Sequence, residues 1–360
     1  MRIGVDARPF QDPLARGVSS YGRSLLYALF NTYGSDPFRL FAAGGNPVPN
    51  FPADVRHLKL PSKLVNVGMR TVGTPTVDGA LGVDRVWMPN LNFWSVGRRA
   101  RLAVTVQDLS FLVDPTWYSA RERLWHRTIG VRSLLRRADA ILTLSGHTKR
   151  ELVELLNLPP ERIHHLRPGI PAVAPTTARH AAFTSFPYIL FVGVVERRKN
   201  PVGAIRAFEA AAVRLPDHQL VFAGGPGAGA EEVRAAIGRS PVGGRIHLLG
   251  AVSHAAKGAL LRGADALFLP SFYEGFGFPP LEAMSVGVPA VTSSASALPE
   301  TVGNAALTLD PFDIGGFADA LVAAITDPEL RARLIARGYE RVKEFSWDRC
   351  AEETWQVLCA

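Results

Sequence analysis

Twice along its 360 residues the chain alternates short apolar runs with stretches of helical apolar spacing, and between the two series the alternation stops. The first series places strands at Ile3–Val5, Phe38–Ala42, Val55–Leu60, Arg85–Met88, Leu102–Val106, Ile141–Leu144 and Ile163–Leu166. The second places them at Tyr188–Val192, Gln219–Phe222, Arg245–Leu248, Ala266–Leu269, Ala290–Thr292 and Ala306–Leu309. Such alternation points to a parallel sheet with helices on both faces, because a crossover between parallel strands needs a helix to bring the chain back. Residues 169–187, with Pro171, Pro175 and Pro187 and little periodicity, read as a linker. The expected fold class is α/β, with two doubly wound Rossmann-like domains, residues 1–168 and 188–345, facing a central cleft. Open sheets of this type bind ligands beyond the C-terminal ends of their strands. The tail from Phe345 to Leu358 reads as a final helix.

One stretch of the second half carries chemistry. From Leu269 through Pro270, Ser271, Glu274, Gly275, Phe276, Gly277 and Phe278 to Glu282 and Met284, a buried strand runs into a glycine-rich loop. Pro279 and Pro280 then open a helical segment that ends at Gly287. The glycines let backbone N–H groups approach a phosphate closely, and a helix N-terminus favours negative charge. Glu274 falls in the loop and Glu282 on the first turns of the helix. Carboxylates in such a place suit hydroxyl donors, and sugar and ribose hydroxyls are the candidates.

The segment Glu274 to Met284, preceded by Pro270-Ser271, resembles the Glu-x7-Glu signature of glycosyltransferase family 4. Those are retaining, nucleotide-sugar-dependent enzymes of the GT-B fold. The resemblance covers nearly the whole chain, with its specific motifs in residues 188–300. It implies that the last helix, 346–360, crosses back to complete the first domain. It also implies that Glu282 holds the ribose hydroxyls, and that Glu274, with the backbone of Gly275, Phe276 and Gly277, holds the donor sugar. Ser271 and Phe278 belong to the same donor loop. The basic run that follows Gly193, Arg197-Arg198-Lys199, matches the pair that clamps the diphosphate, best through Arg198 and Lys199. Arg197 stands where relatives often carry proline, so which arginine points inward stays open. Arginine offers planar bidentate contacts to phosphate and lysine a compact charge. The expected catalytic residues are Glu274, Arg198 and Lys199.

By the same resemblance Gly17 meets the donor diphosphate or the acceptor, Gly225 faces the same cleft, and Val252 lies against the base. Read from the residues alone, Gly17 is a simple loop before a helix capped by Ser19 or Ser20. Gln107 stands where many relatives carry a histidine that contacts the donor sugar. Its amide both donates and accepts but does not titrate near neutral pH, so a histidine role does not carry over. The loop from Thr292 to Glu300 lies near the diphosphate in the family; on its own it reads as a capped turn. Ser145 reads as a helix cap.

The formal net charge is +8, carried by arginine. No nucleic-acid-binding module accompanies it, so nucleic acid is not an expected partner. Residues 98–137 hold nine arginines against three acids. Tyr118 to Arg137, with Leu124, Trp125, Ile129 and Leu134, reads as one basic amphipathic helix. It is either a solvated face or a dock for an anionic membrane that presents a lipid-linked acceptor. Cys350 and Cys359 lie roughly 13 Å apart along a helix, too far for a bridge. Reduced thiols, a start directly on a strand and no long apolar run suit a cytoplasmic protein, peripheral on the inner face of the membrane. His147, His164 and His165 lack metal-ligand spacing. No Asp-x-Asp occurs, so the diphosphate site is expected to work without metal and the protein without a cofactor.

The reading is a retaining hexosyltransferase. It takes its sugar from a GDP-, UDP- or dTDP-sugar donor and passes it to a glycan or lipid-linked acceptor hydroxyl in polysaccharide biosynthesis. A GT-B sugar-nucleotide epimerase and a non-catalytic nucleotide-binding partner subunit are the alternatives. A nicotinamide-dependent oxidoreductase is disfavoured, because no Gly-x-Gly-x-x-Gly follows the first strand.

Overall fold

The computed structural model describes residues 1–12, 17–174 and 186–360. Residues 13–16, and residues 175–185 of the segment 169–187 expected to be a linker, lie outside them. The chain divides into two units, Met1–Leu109 with Ala120–Gly169 and Ser346–Ala360, and Ser110–Ser119 with Ile170–Phe345.

The first unit is built on strands β1 (Ile3–Asp6), β2 (Phe38–Ala43), β3 (Asp54–Leu58), β4 (Arg85–Met88), β5 (Arg101–Val106), β6 (Ala140–Thr143) and β7 (Ile163–His165). They pair in parallel in the order β3-β2-β1-β4-β5-β6-β7. The second unit holds β8 (Tyr188–Val192), β9 (Gln219–Ala223), β10 (Ile246–Leu248), β11 (Ala266–Leu269), β12 (Ala290–Ser293) and β13 (Ala306–Leu309). Their order is β10-β9-β8-β11-β12-β13, again parallel throughout. Both sheets are doubly wound. The chain steps outward from β1, or β8, and then returns to build on the other side, leaving a switch point between β1 and β4 and another between β8 and β11.

Each strand read from the sequence is present. The third ends earlier than expected, at Leu58, because Pro61 precedes the helix Ser62–Thr71 and Leu60 is left exposed. β8 and β11 are buried at every position, as continuous apolar runs require. In the second unit Phe191, Phe222, Phe268 and Phe317 pack between the sheet and the helices Pro201–Ala211 and Ile314–Thr326. Burial of each such ring contributes about 1.5–3 kcal/mol.

The final helix, Trp347–Cys359, is capped by Ser346, whose hydroxyl accepts from the Arg349 amide. It belongs to the first unit. There Trp355 stacks on Tyr33 with ring centroids 4.3 Å apart, and Trp347 lies 5.9 Å from Tyr21. A side chain at Gly169 would come within 2.3 Å of the Trp347 ring, so only glycine admits this contact. Cys350 and Cys359 are both free.

Two local expectations are corrected. The single basic helix over 118–137 is two helices, Ala120–Thr128 and Val131–Arg137, broken at Gly130, whose φ of 70° is left-handed. The first buries none of its side chains, whereas the second buries Val131, Leu134 and Leu135. Ser19 and Ser20 do not cap the first long helix, which already begins at Gly17 and encloses them. Ser145 does cap its helix, accepting from the Thr148 amide at 3.1 Å. Among the described residues no helix is long and apolar enough to cross a membrane.

Candidate active site

The second unit's switch point brings together the exits of β8 and β11. After β8 the chain turns at Gly193, with φ 131°, into the short turn Arg197–Lys199. A Cβ at Gly193 would lie 2.9 Å from Cε of Lys199, and one at Gly224 only 1.7 Å from the Gly193 carbonyl. The glycines thus let the β8 and β9 exits close up and leave room for the lysine. Asn200 (φ 54°) caps the next helix by accepting from the Gly203 amide. Its amide nitrogen donates to the carbonyls of Pro270 and Pro311, 3.2 and 3.0 Å away, tying the β8 exit to the β11 exit.

Glu274 sits where these exits meet, almost fully buried. One carboxylate oxygen accepts from Nζ of Lys199 at 2.5 Å and from Oγ of Ser271 at 2.9 Å; the other accepts from Arg198 at 3.2 Å. Arg198 also donates to the Tyr273 carbonyl at 2.8 Å and pairs with Glu196 at 2.7 Å. The Glu274 amide donates to Oγ of Ser296 at 2.7 Å. Burial alone would push the Glu274 carboxyl up. The charges of Lys199 and Arg198, with the hydrogen bonds from Lys199 and Ser271, outweigh it and hold the group down at about 2. The group is therefore ionised throughout the neutral range.

Arg197 takes no part in this cluster. It turns outward to Glu232 on the helix Ala230–Arg239. That answers which arginine joins the glutamate: Arg198.

Glu282 belongs to a second pair. It lies buried on the helix Phe278–Met284 and accepts from Nζ of Lys257 at 2.6 Å. Lys257 rides on the helix His254–Gly263, capped by Ser253 and preceded by Val252. The segment expected to meet the base and the glutamate expected to meet the ribose are thus linked through one lysine. Between the two glutamates Gly277 has φ 103°, and a Cβ there would stand 2.7 Å from Leu298. Phe276 is buried, its ring 4.8 Å from Phe278, and its carbonyl accepts from the Thr301 hydroxyl. Gly225 accepts from the Val195 amide at 2.9 Å, holding the β9 exit against that of β8.

The structure thus gathers Glu274, Arg198, Lys199 and Ser271 into one cluster, with Gly193, Gly275 and Phe276 in its immediate chain neighbourhood. Gly17, at the start of the helix Gly17–Tyr33, and Gln107, directly after β5, belong to the first unit. Sequence reasoning missed Lys257, and of Ser296 it singled out only the loop, Thr292 to Glu300, that carries it. The Ser253 cap signals the helix that carries Lys257, but no spacing tells which carboxylate it faces.

A pair of doubly wound parallel-sheet units of this kind is the architecture of the GT-B glycosyltransferases. The sequence pattern described as "Glycosyl transferases group 1" matches residues 176–341. O-antigen chain mannosyltransferase B of Escherichia coli is 31% identical over 272 residues, spanning 73% of this chain and 71% of that protein. Among solved structures, sucrose-phosphate synthase from Thermosynechococcus elongatus superposes with a TM-score of 0.77 at 20% identity, over 99% of this chain and 98% of that one. Anabaena HepE, solved with UDP and glucose, superposes with a TM-score of 0.73 at 15% identity, over 100% and 99%. The chain belongs to the group 1 glycosyltransferases. It is an enzyme that transfers a glycosyl group from a nucleotide-sugar donor.

Proposed function

We propose that the enzyme is a retaining hexosyltransferase of family 4 that acts in polysaccharide biosynthesis, with the second unit as its donor site. One observation carries the reading: a buried carboxylate, Glu274, is held between Lys199 and Arg198 at the switch point of the sheet. Lys199 and Arg198 exchange part of their contact with Glu274 for the donor's diphosphate as its bond to the sugar weakens. Glu274, relieved of some of its partners, accepts hydrogen bonds from the donor's sugar hydroxyls. Glu282, oriented by Lys257, accepts from the two ribose hydroxyls, and the base lies near Val252. Catalysis is then positioning together with stabilisation of the departing diphosphate, which takes up the acceptor's proton on the face it leaves. Two cationic side chains at the diphosphate make a metal-free reaction the natural one, with no cofactor besides the donor.

The donor is a UDP-, GDP- or dTDP-hexose. The mannosyl activity named for the E. coli relative makes a mannosyl donor the first to try. The test is acceptor-dependent release of nucleoside diphosphate from a panel of nucleotide sugars, with anomer analysis of the product. Lys199→Ala should cut turnover and Glu282→Ala should weaken donor binding. Full activity in both variants, or an inverted product, refutes the assignment.

A lipid-linked acceptor is favoured by a second observation, on the first unit. The helix Ser62–Thr71 buries Val65 and Met69 on one face and leaves Leu64 and Val67 exposed on the other, beside exposed Leu60 and Val72. Arg70 at its end meets Gly130 at the corner of the two basic helices, where Leu124 is also exposed. Apolar residues among Lys63, Arg70, Arg121, Arg123 and Arg127 suit peripheral contact with an anionic bilayer at the inner face of the membrane. Flotation on vesicles with and without anionic lipid tests this; equal recovery refutes it.

A further inference from the structure

A cavity of about 510 Å³ opens in the second unit with a lining that includes neither Glu274 nor Lys199. Its size falls within the roughly 300–1,000 Å³ of small-molecule pockets. Three aromatic rings face it, those of Trp117, Phe272 and Phe312, together with Arg197, Arg206 and Glu232. Phe312 is 76% exposed. Its ring lies 5.1 Å from that of Phe272 at 35°. Both ends of this wall are fixed to the turn that carries the transfer centre. The Asn200 amide nitrogen donates to the Pro311 carbonyl at 3.0 Å, and the Phe272 amide donates to the Arg198 carbonyl at 2.9 Å. Arg197 pairs with Glu232 and donates to the Thr116 carbonyl at 3.3 Å, which holds the Trp117 side of the pocket in place.

We infer that this cavity is a binding subsite for a neutral glycan chain. The inference rests on the reading of the neighbouring centre as a sugar-transfer site. A pyranose ring has one face of C–H bonds, which lies flat on an aromatic ring, and an edge of hydroxyls, each both donor and acceptor. The pocket offers the matching set: flat apolar rings on one side and a fixed arginine–glutamate pair on the other. A purely apolar ligand would bury that pair with nothing to match it. An anion would face Glu232 as well as the arginines. Arg197 and Asn200, which line the pocket, flank Lys199 in the chain, so a saccharide seated here is held on the same turn that carries the transfer centre.

The test uses the full chain on an array of neutral oligosaccharides of hexose, deoxyhexose and N-acetylhexosamine, with thermal shift by UDP and GDP measured in parallel. Wild type should bind at least one class. Phe312→Ala should weaken that binding about tenfold and Arg206→Ala by less, while leaving the nucleotide shift unchanged. An unchanged melting midpoint for Phe312→Ala rules out misfolding as the cause. The inference is overturned if no class binds while a nucleotide still stabilises the protein. It is equally overturned if wild type and Phe312→Ala bind alike. Phe312-dependent glycan binding without any nucleotide shift would support the subsite and refute the donor reading instead.

Discussion

Replacing Glu274 by glutamine removes one charge while keeping the shape of the side chain, and its cost follows from the geometry. The carboxyl sits at about 2 in the folded protein against an ordinary 4.5. By linkage that difference is worth about 3 kcal/mol of stability at neutral pH. The same size follows from the other side of the pair: an ammonium as buried as that of Lys199, left without its anion, costs about 3–5 kcal/mol. A unit of this size loses about 2–4 °C of midpoint per kcal/mol, so Glu274→Gln should lower the second unit's calorimetric transition by about 6–12 °C at pH 7. Because the folded value is depressed, the wild-type advantage is complete above the unfolded value and fades as pH falls toward the folded one. The gap between the two proteins should hold from pH 8 to about pH 5. More than half of it should be gone by about pH 3. Midpoints within a degree of each other at pH 7, or a gap that does not shrink on acidification, would show that the two cations do not depend on this carboxylate.

Three further outcomes are expected. Gly193→Ala puts a Cβ 2.9 Å from Cε of Lys199 at a φ of 131°, so steady-state turnover should fall at least about tenfold, with stability down about 1–3 kcal/mol. Lys257→Met leaves the buried Glu282 without its cation; calorimetric titration with UDP or GDP should show about tenfold weaker binding, with turnover at saturating donor retained. Chelator added during turnover should leave the rate unchanged, and a loss restored by magnesium or manganese would refute the metal-free reading.

The fold was legible because its signal is redundant. Runs such as Tyr188–Val192 and Ala266–Leu269 are buried on both faces and bounded by glycine or proline, so neither their type nor their extent depends on distant contacts. The misreadings fall where one residue decides. Gly130 splits an arginine-rich pattern whose apolar spacing continues across the break, and the helix at Gly17 starts ahead of the serines that look like its caps. At the site, Glu274 and the basic run after Gly193 were visible as motifs, but their pairing was not. Arg197 and Arg198 are identical in type and adjacent, and within the tight turn Arg197–Lys199 one goes to Glu232 and the other to Glu274. Lys257 stayed hidden, and Ser296 was visible only as part of its loop, because each meets its glutamate through packing between elements, which leaves no periodic trace in the chain.

The return of the helix Trp347–Cys359 to the first unit also bears on how the protein is made. Ribosomes emit the sequence in order, so every residue of the second unit has left the tunnel before Trp347 and Trp355 can reach Tyr21 and Tyr33. The later-made unit is free to close first, while the earlier-made one waits with those aromatic seats empty. A released chain ending at Phe345, which lacks that helix, should hold a protease-resistant second unit beside a cleavable first one.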